Sequence, residues 1–233
     1  MWQALRTELH PAGLEIVTVA LDTGGAEAAR PWIEAARPEH PALVDQAHVV
    51  DELFGITNVP SGVWIDEQGI IVRPPETAFA ERTPFRDRPI PADAAPDVRH
   101  RLELAKRIRV EPEKYVAALR DWVARGPASR YALSPDEVLR RSGPRPMDAA
   151  TAAAEFELGE HLYRLGRPDL AVPHFRQAHR LQPDNWTYRR QAWTLVDPDQ
   201  GPTDVYDGDW VKDVERIGPE QYYAPLEMDS PGE

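Results

Sequence analysis

Hydrophobic positions along the chain change their period at about residue 77 and again near residue 100. Up to residue 76, short apolar runs alternate with helical spacing. Trp2, Leu5 and Leu9 recur every three or four positions, which predicts a helix over residues 1–9 stopped by His10-Pro11-Ala12-Gly13. Residues 14–21 (LEIVTVAL) are few and rich in β-branched side chains, the pattern of a buried strand. A loop at 22–25 leads to a helix over 26–37, interrupted by Pro31, then a short strand at 41–45. Residues 49–54 read as a short helix ended by Gly55, a natural left-handed position. Val63-Trp64-Ile65-Asp66 and Ile70-Ile71-Val72 flank Glu67-Gln68-Gly69, the signal of a β-hairpin.

Residues 77–100 carry many prolines and charges without a period and read as a linker or long surface loop. Helical spacing returns over 101–126, ending in Tyr115, Leu119, Trp122 and Val123 before Gly126-Pro127. Ser134 then Pro135 read as a cap and first residue of a short helix to Arg141. Residues 148–195 are strongly helical, broken at 165–168, with a third helix expected over 186–195. The tail, 196–233, is rich in Pro, Gly and Asp but holds Tyr206, Trp210, Tyr222 and Tyr223, so it is expected to fold back on the body. The expected organisation is an α/β unit over 1–76, a linker at 77–100, helices packing on the sheet at 101–147, a helical hairpin with a capping helix at 148–195, and an anchored tail at 196–233.

Composition narrows the chemistry. The 233 residues carry 27 Lys plus Arg against 39 Asp plus Glu, a net charge of −12. So acidic a surface argues against a nucleic-acid partner, which needs clustered positive charge. No apolar run approaches the ~18 residues of a membrane span, and no secretory leader is visible, so the expected compartment is the cytoplasm. There are 24 prolines, which predicts short helices and stiff loops. There is no cysteine, which removes disulfides, thiolate metal sites and Cys nucleophiles from this chain.

The helical segment resembles a single tetratricopeptide repeat, a helix–turn–helix of about 34 residues. In a frame starting at Ala152, the matching positions are Leu158, Gly159, Leu162, Ala171, Phe175, Ala178 and Pro183. Gly159 and Ala171 would let the two helices approach, Phe175 would fill the gap and Pro183 would end the second helix. Glu155 stands where the pattern has Trp, and Leu162 where it has Tyr. One repeat cannot bury its own apolar face, so it should pack on the rest of the chain or on a partner. Leu158, Gly159, Leu162, Ala171, Phe175 and Ala178 are the expected interaction face for a protein partner.

The N-terminal segment resembles thioredoxin-fold redox proteins of the ResA/TlpA type. The resemblance is carried by residues 14–22, by Leu43-Val44-Asp45, and above all by residues 54–69 (FGITNVPSGVWIDEQG). It implies an incomplete thioredoxin-like α/β fold and thiol or selenol chemistry on a protein disulfide or a peroxide, with a thiol reductant. It implies no cofactor. It places Val59-Pro60 at the family's cis-proline, with the backbone of Val59 open to pair with an extended substrate. Val59, Pro60 and Ser61 are thus the expected substrate-binding residues; Ser61 stands where the family usually has Thr. Residues 111–125 are a candidate for a further helix on the sheet.

In that family the redox motif opens the first helix and a central strand precedes it. Here the first helix begins at Met1 and the chain has no cysteine. The expectation is that the motif and its strand lie upstream, in a protein longer by ~80–100 residues, the motif carrying Cys or selenocysteine; a UGA codon read as stop would give such a start. No catalytic residue is then assigned, and the chain alone is expected to be inactive. Without the strand, the sheet should show a gap, or its flanking strands should pair directly. The alternatives are a non-catalytic binding module and a different α/β fold.

Other groups carry weaker signals. His161, His174 and His179 lack the i, i+4 spacing of a helical metal site. His40 and His48 flank the 41–45 strand with no partner carboxylate evident from spacing. Asp204, Asp207, Asp209 and Asp213 fail the calcium-loop register and read as a solvated acidic loop anchored by Tyr206 and Trp210. Trp2, Trp32 and Trp64 are candidates to shape a groove, or core and rim packing.

Overall fold

A computed structural model describes residues 2–197, 204–206 and 208–228. In chain order its elements are α1 (Trp2–Leu9), β1 (Thr18–Leu21), α2 (Gly25–Ala36), β2 (Ala42–Asp45), α3 (Val49–Phe54), β3 (Ser61–Ile65), β4 (Ile71–Thr77), α4 (Pro96–Arg107), α5 (Pro112–Arg125), α6 (Pro135–Ser142), α7 (Met147–Arg164), α8 (Pro168–Leu181), α9 (Trp186–Thr194) and α10 (Trp210–Ile217). The class is mixed α/β. β1 pairs with β2 in parallel, Thr18 opposite Ala42 through Leu21 opposite Asp45. β3 pairs with β4 antiparallel, Ser61 opposite Thr77 and Ile65 opposite Ile71, with an irregular register around Val63. Among the described residues β1 and β3 do not pair, so two strand pairs stand apart.

Local chemistry explains most boundaries. Gly13 closes α1 through a one-turn 3₁₀ segment at φ 101°, and Gly55 ends α3 at φ 71°. The Ser134 hydroxyl accepts from the Glu137 N–H (3.3 Å) and caps α6, with Pro135 at its first position. In the β3–β4 turn the Asp66 carboxylate accepts from the N–H groups of Gln68 (3.0 Å) and Ile70 (2.9 Å).

Four expectations change. The strand expected over 14–21 is only Thr18–Leu21, and none of its four residues is buried, because one of its edges faces open space. Pro31 does not interrupt α2. It forfeits one interior hydrogen bond, while buried Ala29 holds the helix and the Arg37 N–H closes its last turn on Ile33 and Glu34. The supposed linker already contains the start of α4 at Pro96, a residue that needs no N–H there. The loop before it is tied down: Arg86 Nη1 donates to the Ile108 carbonyl (2.6 Å) and Lys106 Nζ to the Arg86 carbonyl (2.7 Å). The tail forms α10, capped by the Asp209 carboxylate on the Lys212 N–H (3.0 Å). Asp209 and Asp213 are therefore buried rather than solvated; Asp213 pairs with Arg189. Asp204 is exposed, and Asp207 lies outside the described residues.

Two apolar cores result. One joins Leu5 and Leu9 of α1, Trp64 of β3, and Tyr115, Val116 and Leu119 of α5, with Leu226 and Met228 from the tail. The other joins Leu104 and Ile108 to Phe156, Phe175, Trp186, Tyr188, Trp193, Trp210 and Val214. So α5 packs on the sheet as expected, whereas α4 packs with the helices. Tyr206 and Tyr222 are buried in the second core, which places the tail back on the body. In the α7–α8 hairpin a Cβ on Gly159 would meet Phe175 Cε1 at 2.7 Å, the close approach that the sequence pattern requires.

Candidate functional site

β1 and β3 face each other across a cleft of about 710 Å³. Trp2 of α1, Phe54 of α3, and Tyr115 and Trp122 of α5 line it from the flanking helices. Val59, Pro60 and Ser61 line it where the chain enters β3, so the three expected substrate-binding residues do meet in one place. The Val59–Pro60 bond is cis. Of the three tryptophans singled out, Trp2 and Trp64 line the cleft, whereas Trp32 does not and is 78% exposed. Trp64 is fixed by a hydrogen bond from its Nε1 to the Tyr115 hydroxyl (3.0 Å) and by stacking on Trp122 with centroids 5.0 Å apart.

The loop leading into β3 is clamped by the tail. Tyr223 Oη donates to the Val59 carbonyl (2.9 Å), and Asn58 Nδ2 donates to the Tyr222 carbonyl (3.0 Å). Asn58 Oδ1 accepts from the Val59 N–H (2.9 Å), and the Ser61 hydroxyl donates to the Asn58 carbonyl (2.7 Å). This corrects the expectation for Val59: its backbone is not open, since both its N–H and its carbonyl are engaged. A substrate strand pairing there competes with the Tyr223 hydroxyl. The cause is the folded-back tail, whose aromatics were legible but whose landing place was not.

The strand edges facing the cleft are different. The Thr18 and Asp22 N–H groups donate to the carbonyls of Pro41 (3.0 Å) and Asp45 (3.3 Å). In a parallel pair alternate residues turn their backbone groups to opposite sides, so Val17, Val19 and Leu21 turn theirs toward the cleft. On the opposite wall, Ala78 donates to the Pro60 carbonyl (3.0 Å) and Asp66 to the Ile70 carbonyl (2.9 Å), which directs Ser61, Val63 and Ile65 away from β4 and into the cleft.

No family model, curated protein or solved structure matches the chain. The geometry is therefore what carries a functional reading.

A second constellation was hidden from spacing. His48 Nδ1 donates to Asp51 Oδ2 (2.9 Å), and His48 Nε2 lies 4.0 Å from Glu160 Oε1 of α7. All three side chains are buried, and His48 packs edge-on against Phe156 at 5.2 Å. This corrects the expectation that His48 has no partner carboxylate. The i, i+3 spacing of His48 and Asp51 was readable; Glu160 is brought in only by the docking of α7 on α3. His48 sits at φ 55°, a left-handed conformation costly for a residue with a side chain. Burial alone would lower the His48 pKa, but its bond to Asp51 and the charges of Asp51, Glu160 and Asp45 raise it. Burial pushes the Glu160 carboxyl up to about 7, against the opposing charges of His48 and Arg164. It raises Asp51 as well.

Two further histidines have side-chain partners, and a third is buried with its Nε2 unpartnered among the described residues. His174 Nδ1 pairs with Glu155 (2.7 Å), His40 Nε2 meets the Thr18 hydroxyl (3.3 Å), and burial among arginines pushes His179 down to about 3. Among the described residues, no group of three or more His, Asp or Glu is arranged to hold a metal, and no helix is long and apolar enough to cross a membrane.

Of the expected interaction face, Gly159, Ala171, Phe175 and Ala178 are buried between α7, α8 and α9, and Leu162 is partly covered. Only Leu158, 42% exposed, is openly accessible to a partner. The small residues that draw two helices together are consumed by that contact.

Proposed function

We propose that this chain is the scaffold of a thioredoxin-type redox protein, acting on a disulfide or peroxide through a thiol or selenol that its 233 residues do not contain. One observation supports the reading above others. Two strand pairs flank an open cleft bordered by the first helix and ended by Val59 and Pro60, where a thioredoxin-like sheet would carry its central strand. A nucleophile on such a strand would lie beside the N-terminus of α1, where helix-end N–H groups favour a thiolate.

The chemistry needs two thiols. A thiolate attacks one sulfur of the substrate disulfide and expels the other as a thiolate. A second thiol of the protein then displaces the reduced substrate and leaves a protein disulfide, which an external dithiol reduces. The 233-residue chain, with dithiothreitol as reductant, is expected to show no disulfide or peroxide reduction above background. A version extended at its N-terminus by an apolar strand and a Cys-x-x-Cys segment is expected to gain turnover. An extended, folded version that stays inactive would overturn the redox reading.

The absence of cysteine favours a second reading. On it, the same cleft and the exposed Leu158 serve a protein-interaction module without chemistry.

A further inference from the structure

We infer that the cleft between β1 and β3 is a receptor for one extended, uncharged polypeptide strand that hydrogen-bonds to both edges at once. The inference goes beyond the redox reading, since it needs no thiol and would hold for a binding module equally.

The backbone defines the occupant's shape. Val17, Val19 and Leu21 on one wall, and Ser61, Val63 and Ile65 on the other, turn their backbone groups into the cleft. Alternation along the two ladders turns the N–H groups of these six away from β2 and β4. The Leu21 carbonyl accepts from Gln191 Nε2 (3.0 Å), which closes the β1 edge at that end. Parallel strands are ordinarily covered. Here Val17 and Ile65 remain 52% and 45% exposed. A single strand between the walls satisfies both edges in one step, as in β-augmentation. β1 and β3 have four and five residues, so the occupant is of similar length.

The lining defines the occupant's charge. Its one acidic residue, Glu15, is already held by Arg6 (2.8 Å), and no basic residue lines the cleft. A charged side chain entering there would lose its water without gaining a counter-charge, whereas Val, Ile or Thr would bury apolar area. The outer edge of β4 offers no rival site. Pro74 and Pro75 interrupt it, and proline cannot donate to a ladder. The same prolines make β4 of a second copy a poor occupant.

The test is binding of a fluorescent, acetylated peptide, Thr-Val-Ile-Val-Thr-Val-Lys-Lys-amide, followed by anisotropy, with amide hydrogen exchange on the 233-residue chain. Expected is saturable binding that protects the amides of both Val19 and Val63. N-methylating one central residue on either register face should weaken binding about tenfold or more, and an Asp at the centre should abolish it. Equal binding of the N-methylated peptides, protection of one edge alone, or amides at Val19 and Val63 already slow in the free chain would each overturn the inference. So would saturation of the cleft by self-association, read by sedimentation. A form of the peptide carrying a Cys-x-x-Cys segment that binds but confers no disulfide reduction would sink the redox reading and leave strand capture standing. A peptide that fails to bind would sink strand capture, while the extended version above still tests the redox reading.

Discussion

The helical part and the strand part of this molecule bury their side chains in opposite ways. In the helical part, Ala171, Phe175 and Ala178 of α8 and Trp186, Ala192 and Trp193 of α9 are all at most 3% exposed. The inner faces of α7, α8 and α9 meet one another, and Tyr206, Trp210 and Tyr222 of the tail pack against them. In the strand part, β1 has no buried residue although three of its four side chains, those of Val19, Ala20 and Leu21, are apolar. A helix satisfies its own backbone and asks only for side-chain cover, whereas a strand asks for a neighbour on each edge. The helical region has a closed core. The strand region leaves a cleft open between its two pairs.

The largest test of this difference is truncation at matched positions. Phe175→Ala should cost about 3–5 kcal/mol, because the cavity between α7 and α8 cannot collapse around Gly159. Val19→Ala should cost under ~1 kcal/mol, because its side chain is already part-exposed at the cleft. Urea denaturation measures both. Similar costs would mean that the cleft closes in solution and the contrast is not real.

The next test separates buried charges by pH. Glu160 titrates near 7 when folded, above its ordinary 4.5, so the folded state holds that proton more tightly. Its contribution to stability is present below 4.5 and lost as pH rises through about 7. His48, also raised, acts in the same direction: its contribution is present below its ordinary 6.5 and lost as pH rises through its folded value. His179 works the other way. Lowered to about 3, its contribution is present above its ordinary 6.5 and lost as pH falls toward 3. Glu160→Gln should therefore flatten the loss of urea midpoint between pH 5 and 7.5 while leaving the acid side unchanged. His179→Leu should relieve the acid side alone. If neither substitution alters the profile, these groups do not govern it.

A smaller effect probes the tail. Asp209→Ala removes the cap of α10 and should cost about 1 kcal/mol. The loss should fall on the helical region, since Trp210 and Val214 pack there. Hydrogen exchange that loosened β3 instead would show that the two cores unfold together.

How much of this was readable depends on how local each cause is. The α6 cap at Ser134, the Gly55 stop and the Gly159–Phe175 approach each involve neighbours within one or two turns, or one hairpin, and the sequence carried them. The split of the strands was expected only through the resemblance, in which a sheet without its central strand either leaves a gap between 14–21 and 63–66 or pairs them directly; no period in the sequence chooses between the two. The Tyr223 clamp on Val59 spans 164 residues and the His48–Glu160 contact 112, and no period or spacing encodes either. α10 was missed although Asp209, Trp210, Val214 and Ile217 carry a cap and a helical stripe. The surrounding Pro, Gly and Asp masked a segment only eight residues long.

The smallest and sharpest prediction joins the two regions. Tyr223→Phe deletes the hydroxyl that donates to the Val59 carbonyl and leaves the ring, which packs edge-on against Phe79 at 5.4 Å. Stability should fall by about 1 kcal/mol, the net worth of one part-buried hydrogen bond. Strand binding should move differently at two places. Between β1 and β3, where Tyr223 does not reach, the affinity for the Val-rich peptide should stay within about twofold of the parent, since no edge hydrogen bond is lost. At the loop, the freed carbonyl becomes available to an extended segment pairing alongside Val59, so a peptide too short to fill the cleft should now bind where it did not before. If Tyr223→Phe weakened the cleft peptide about tenfold, the tail would be a wall of the strand site, and the helical region would be setting the shape of the open one.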